Sequence, residues 1–483
     1  MSLDEKKVSR IVEDILEKVM TRTPPAGAVP DAGIKIMPEV AMENGAFETV
    51  DQAVENAALA FRKFQKISLE TRKKIIENMR KASRDNAVML AETAVRETGL
   101  GRLEDKINKN LLCADKTPGV EDLESKAFSG DKGLTLTEMA PYGVIGAITP
   151  TTNPAATVIN NSISMVAAGN AVVYNHHPGA RKTSIKTLQI LNDAIKEAGG
   201  PENLLTCVFN PTIESSQALM KHKGIRLLVV TGGPAVVKQA MGSGKKTIAA
   251  GPGNPPVVVD ETADIGKAVK DIINGASFDN NIGCIAEKEV FVVEKVAEDL
   301  IRNFKNQGQY ELSGKELDKV MDIIFQDKGA GCAHPVMNKN FVGKPASYIA
   351  KSAGISVPAD TRLLFCVVEK DHPLVLAEQL MPVLPVVRVP DVKKAIDWAV
   401  EVEHGGRHTA VMHSKNIENL HMMACKVDAS IFVKNAPSYA GLGFGGEGYT
   451  TMTIASPTGE GLTSAKTFSR LRRCTLADYF RIV

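Results

Sequence analysis

Long hydrophobic runs are missing from this 483-residue chain: none approaches the roughly 20 apolar residues that a membrane-spanning helix needs. The N-terminus also lacks the basic-then-apolar layout of a secretory signal, so the protein is expected in the cytoplasm. An excess of either charge is missing too. Lys and Arg number 58 against 56 Asp and Glu, a formal net charge of +2, which offers no basic field to nucleic acid or an anionic membrane. Neither is an expected partner. Cysteine pairs are absent: Cys113, Cys207, Cys284, Cys332, Cys366, Cys425 and Cys474 are scattered, with no spacing that suggests a zinc ribbon or a C-x-x-C redox pair. Most read as buried, reduced thiols, and at most one is chemically special.

Apolar material is plentiful. Hydrophobic residues make up 44% and charged residues 24%, and the length exceeds what a single core holds, so two or three domains are expected. Residues 4 to 20 place Val8, Ile11, Val12, Ile15, Leu16 and Val19 on one helix face with charges elsewhere, an amphipathic helix suited to docking in a partner groove. That assigns 1–22 as a targeting helix. The Pro-, Gly- and Ala-rich stretch after it reads as a linker over 23–40.

Helical periodicity runs from about 48 to 117, and then strands alternate with helices, which implies a parallel, doubly wound α/β sheet. Strands are expected at Val144–Thr149, Ala171–Tyr174 and Leu227–Val230. A helix from near Ser184 buries Ile185, Leu188, Leu191 and Ile195 and stops at Gly199-Gly200-Pro201. A second α/β segment begins near Thr247 with Pro256–Asp260 as its first strand. The resulting division is a first α/β unit at 41–247, a second at 248–435, and a return segment with a basic tail at 436–483. That tail is expected to supply an edge strand to a neighbouring subunit. Arg470, Arg472 and Arg473 in it read as solvated or subunit-facing, with contact to the phosphates of a ligand as the alternative.

Three local patterns carry chemistry. In Ser277–Glu287, SFDNNIGCIAE, Cys284 sits in a Gly- and Asn-containing loop, where a thiol can reach a carbonyl; a buried structural cysteine is the plain alternative. Thr149-Pro150-Thr151-Thr152-Asn153-Pro154 follows a parallel strand, where α/β sheets bind ligands. Asn153 there reads both as a helix cap before Pro154 and as an amide aimed at a developing oxyanion. Thr231-Gly232-Gly233 joins a strand to a helix whose positive end suits a pyrophosphate, or is a plain turn. His176 and His177 are adjacent, but loop neighbours point apart and nothing else lies at ligand spacing, so no metal is expected.

The order and spacing of these pieces resemble the aldehyde dehydrogenase superfamily over nearly the whole chain after residue 45. The resemblance implies that fold: a Rossmann-type cofactor domain, an α/β catalytic domain and a small oligomerisation element to which 121–140 contributes. It also implies roles. Cys284 falls at the nucleophile, Asn153 at the oxyanion asparagine and Thr231-Gly232-Gly233 at the phosphate turn, with Pro150 and Thr151 beside the cofactor. Glu378 in EQLMP falls at the carboxylate that holds the nicotinamide ribose, and Gly443–Gly448 at the late Gly-Phe-Gly loop.

Two departures narrow the subfamily. Where hydrolytic members carry Glu-Leu-Gly-Gly-Lys, whose Glu is the base for water, this chain reads Ala249-Ala250-Gly251-Pro252-Gly253. Where the family has an adenosine-ribose Lys-Pro-x-Glu, it reads His177-Pro178-Gly179-Ala180, with His177 in the lysine's place. Both resemble the coenzyme A (CoA)-acylating propionaldehyde and acetaldehyde dehydrogenases of bacterial microcompartments. The resemblance implies NAD and CoA as cofactor and co-substrate, a short-chain aldehyde substrate, a Cys284 thioester, and a homodimer or homotetramer. It also implies a microcompartment shell protein as the partner of the N-terminal helix. His408 is a candidate base for the CoA thiol, with a structural histidine as the alternative. The rival readings are a hydrolytic dehydrogenase with a relocated base and a non-catalytic microcompartment scaffold.

Overall fold

Short apolar runs bounded by Gly, Pro and Asn become the strands. Val144–Ile148 and Ala171–Asn175 are buried along their whole length, as befits central parallel strands covered on both faces. The computed structural model describes residues 40–329 and 335–482; the 4–20 helix, the linker up to residue 39 and Cys332 lie outside the described residues. A six-stranded sheet runs in the order Ala46–Phe47, Leu205–Val208, Ala171–Asn175, Val144–Ile148, Leu227–Thr231, Thr247–Ala250, and all of its pairings are parallel. The direction of winding reverses between Val144–Ile148 and Leu227–Thr231, which opens a crevice at their carboxyl ends.

A seven-stranded sheet follows, ordered Tyr310–Glu311, Leu364–Val367, Val383–Val389, Glu289–Val293, Pro256–Val259, Thr409–His413, Ile431–Lys434, also parallel throughout. The apolar core divides with the sheets. One cluster spans Val40 to Ala249 and takes in Ala455, Ala465 and Phe468, so the C-terminal segment returns to the first core. Others form around Val257, Val290 and Val386 and around Val258, Phe291 and Val387 on the second sheet.

Two boundaries differ from the sequence expectation. Thr247–Ala250 pairs with Leu227–Thr231 and completes the first sheet, so that sheet extends past residue 247 to Ala250. The helix expected from Ser184 starts at Arg181, because the distant Glu97 carboxylate accepts the N–H groups of Lys182 and Thr183 at 2.7 and 2.8 Å and so caps the first turn from outside.

The basic tail forms the strand Ser469–Ala477. It pairs antiparallel with Gly133–Pro141, which pairs in turn with Lys126–Gly130. This three-stranded arm leaves Phe128, Leu471 and Leu476 exposed, and Ser469–Ala477 has one edge unpaired among the described residues. No helix among them is long and apolar enough to cross a membrane.

Candidate active site

The site lies where carboxyl ends of the first sheet meet entry ends of the second. From Val144–Ile148 the chain turns through Thr149–Asn153 into Pro154–Ala167, a helix buried at every residue. Asn153 occupies the N-cap position, yet its side chain makes no cap hydrogen bond. Its Oδ1 accepts from the Lys109 ammonium and its Nδ2 reaches Thr152 Oγ1 at a long 3.3 Å. The amide is therefore oriented by a cation, with its N–H side turned away from that cation.

Cys284 is approached through a left-handed turn. Asp279, Asn280 and Asn281 have φ of 49°, 54° and 63°, a conformation that Asn and Asp tolerate better than other side chains. Each is held by further hydrogen bonds. Asp279 receives Lys109, Lys106 at 3.1 Å and the Arg102 N–H at 2.7 Å, Asn280 Nδ2 donates to Gly343 O at 2.9 Å, and Asn281 Nδ2 donates to Ala276 O at 2.7 Å. The buried Lys288 ammonium donates to Asn281 O and Gly283 O at 3.0 and 3.3 Å. Burial lowers its pKa to about 8. This bracing fixes a half-buried thiol at the loop's end.

Asn153 and Cys284 line one cavity of about 50 Å³ together with Lys109 and Ser438. Its wall is largely apolar, with the rings of Phe278, Tyr439 and Phe444 in mutual tilted contact at centroid distances of 5.1 to 5.8 Å. Phe444 belongs to the late Gly-rich loop, which Lys116 pins through Gly443 O and Gly446 O at 2.6 and 3.0 Å. Burial and then the nearby Glu378 carboxylate push the Cys284 thiol up to about 12, so the resting thiol carries its proton. Glu378 is itself raised, by burial, and its Oε1 accepts the Gly253 N–H at 3.2 Å. Behind the cavity, Glu287 accepts both the N–H and the hydroxyl of Ser438 at 2.8 Å, and burial raises it to about 7.

The other sequence candidates surround this centre. Gly232 donates its N–H to Ala250 O at 3.2 Å. Gly233 begins the helix Pro234–Met241, and a Cβ there would meet nothing within 4 Å. That open helix end fits a cofactor pyrophosphate. His177 accepts the Gly179 N–H at 3.0 Å, and Thr151 Oγ1 lies 3.6 Å from where a Gly179 Cβ would stand, so Thr151 and the His177 turn are neighbours. Pro150 is half-buried beside them. His176 is buried and stacked on Tyr174 at 5.2 Å, whereas His177 is exposed. His408 is fully buried and outside the cavity wall; it packs against Gly253, where an added Cβ would lie 2.9 Å from His408 Cγ and 2.7 Å from Cys284 O.

A profile of the aldehyde dehydrogenase family matches residues 38–463. The chain belongs to the aldehyde dehydrogenase family. This dehydrogenase is 48% identical to the acetaldehyde dehydrogenase (acetylating) EutE of Escherichia coli K12 over 100% of each chain. A propionaldehyde dehydrogenase from the Clostridium phytofermentans fucose utilisation bacterial microcompartment shares 49% identity and a TM-score of 0.88, covering 91% of this chain and 100% of that one. The Rhodopseudomonas palustris propionaldehyde dehydrogenase, with bound CoA and an acylated cysteine, shares 49% identity and a TM-score of 0.87, covering 90% and 99%.

Sequence reasoning missed Lys106, Lys109, Asp279, Glu287 and Ser438. Asp105, Lys106, Lys109 and Asn110 are all buried on the helix Leu103–Lys116. In sequence they look like the charged, solvated face of any amphipathic helix, so only the fold shows that this face is inside.

Proposed function

We propose that this dehydrogenase oxidises a short-chain aldehyde to its CoA thioester through a thioester on Cys284. The observation that carries the proposal is the pairing of Cys284 and Asn153 in one small apolar cavity, while the position of the hydrolytic base is Ala249, fully buried in a strand. The cavity is small and lined largely by apolar side chains, which suits a short aliphatic aldehyde such as acetaldehyde or propionaldehyde.

Cys284 loses its thiol proton to solvent and attacks the aldehyde carbon as thiolate, the carbonyl electron pair moving onto oxygen. The Asn153 amide and a main-chain N–H near Cys284 hold the resulting oxyanion. NAD, when bound, supplies the hydride acceptor. Gly233 and its helix end would hold the pyrophosphate, with Thr231 and Gly232 shaping the turn, His177, Pro150 and Thr151 flanking the dinucleotide, and Glu378 holding the nicotinamide ribose. The CoA thiolate then attacks the acyl carbon, the same donors hold the second oxyanion, and Cys284 leaves as thiolate. One thioester replaces another, so the step is nearly balanced and reversible.

The open edge of Ser469–Ala477 and the exposed Phe128 and Leu471 support assembly as a dimer or tetramer. The amphipathic pattern of residues 4 to 20, with the microcompartment origin of the C. phytofermentans relative, supports a cytoplasmic enzyme packaged by a shell protein. The test is to follow reduced nicotinamide and acyl-CoA together with propionaldehyde, with and without CoA. Equal formation of both products is expected. Sustained free acid without CoA would instead favour hydrolysis.

A further inference from the structure

The nucleophile loop and the oxyanion asparagine come from different sheets, and a buried cation spans them. Lys109, on the helix Leu103–Lys116, donates to Asn153 Oδ1 and to Asp279 Oδ2. Its side chain is 8% exposed and that of Asp279 1%. Lys106 joins Asp279 at 3.1 Å and donates to Thr152 O at 3.0 Å, while Asp105 accepts the Asp279 N–H at 2.8 Å. So many charges are not placed in a protein interior without compensation, because each costs several kcal/mol to desolvate. Replacing the group by apolar residues would often be as stable, which leaves its position between two reacting elements to be explained.

Resting on the assignment of Asn153 as oxyanion donor, we propose that Lys109 is a positioning residue that holds the Asn153 amide in register with Cys284. An amide has two ends that differ only in being donor or acceptor. A cation on Oδ1 forbids the flipped orientation, in which two donors would meet, and so leaves Nδ2 with one hydrogen for Thr152 Oγ1 and the other for the cavity that Cys284 lines. It also polarises the amide and makes that N–H a stronger donor to developing negative charge. Asp279 completes the arrangement: the same ammonium that fixes the donor grips the left-handed turn leading to the nucleophile, so the two cannot drift apart independently.

The test is a double-mutant cycle on the acylation step alone, read as the pre-steady-state burst of reduced nicotinamide without CoA, so that it does not depend on which acceptor later discharges the enzyme. Loss of one oxyanion donor costs about 10²–10³-fold. Asn153→Ala is expected to slow the burst by that amount and Lys109→Met by tenfold or more, with the aldehyde KM changed less than threefold. The double variant is expected to be no slower than Asn153→Ala within about threefold, since a residue acting through Asn153 has nothing left to act on. Losses that multiply, with Asn153→Ala itself slow, would overturn the proposal while leaving the oxyanion assignment intact. An undiminished burst in Asn153→Ala would remove both. If Lys109→Met does not fold, the same cycle with Lys109→Gln, which keeps N–H donors for Asp279, decides the matter.

Discussion

The Glu378 carboxylate accepts the Gly253 N–H at 3.2 Å and acts on the Cys284 thiol, whose pKa it raises beyond what burial alone does. A negative charge near a thiol disfavours the thiolate. Glu378→Gln removes that charge and keeps the shape. At a pH well below the thiol pKa, a tenfold larger thiolate fraction follows each time that pKa falls by one. Alkylation of Cys284 by iodoacetamide at pH 8, without cofactor, should therefore speed up several-fold. An unchanged or slower rate would show that Glu378 does not govern the resting thiol.

Glu287 makes a pH-dependent contribution of known sign. Burial raises its pKa to about 7 from 4.5, so the folded protein binds the proton more tightly than the unfolded chain. The stability it adds is fully present below about 4.5 and is lost as pH rises through about 7. Relative to wild type, Glu287→Gln should flatten the fall in denaturation midpoint across that window. Parallel midpoint-versus-pH curves for the two proteins would contradict it.

Gly275 leaves the space that Glu287 fills, since an added Cβ would stand 2.1 Å from both carboxyl oxygens. Both residues are buried, and neither carboxyl oxygen can retreat without losing Ser438. Gly275→Ala should therefore destabilise by about 1–3 kcal/mol or more, as overpacking does, and should raise the aldehyde KM because Gly275 and Ser438 line the cavity. Denaturant unfolding and aldehyde titration measure the two effects.

His408 is held neutral by burial, with its pKa lowered to about 4. Nδ1 meets Thr409 Oγ1 at 2.9 Å, and Nε2 has no hydrogen-bond partner among the described residues. Burial makes this ring a weak base, so for it to take a thiol proton bound CoA has to open the packing at Gly253 and bring its pKa back towards neutrality. His408→Gln should slow single-turnover transfer of the acyl group to CoA at least tenfold and leave the nicotinamide burst unchanged. Equal transfer rates would make His408 a structural residue.

Much of the fold was legible because buried parallel strands are continuous apolar runs: Val144–Ile148, Ala171–Asn175 and Leu227–Thr231 stand within one residue of their expected ends. Misreadings arose where a distant group decides. Arg181 starts its helix because Glu97, 85 residues away in sequence, caps Lys182. The site followed the same division. Cys284 and Asn153 were visible in local motifs, whereas the pairing of Lys109 with Asp279, 170 residues apart, leaves no local trace. That Asn153 and Gly233 follow strands was legible, but not that Cys284, Glu378 and His408 precede strands of a second sheet and meet them at one site.

Everything proposed for the chemistry turns on the acyl group residing on Cys284 until CoA removes it. Intact-mass analysis of enzyme mixed with NAD and propionaldehyde, without CoA, addresses this. About one equivalent of reduced nicotinamide is expected, together with a propionyl adduct on the peptide containing Cys284, absent in Cys284→Ala and discharged as propionyl-CoA when CoA is added. Continuous turnover to free propionate without CoA, or an adduct on any other cysteine, would contradict it.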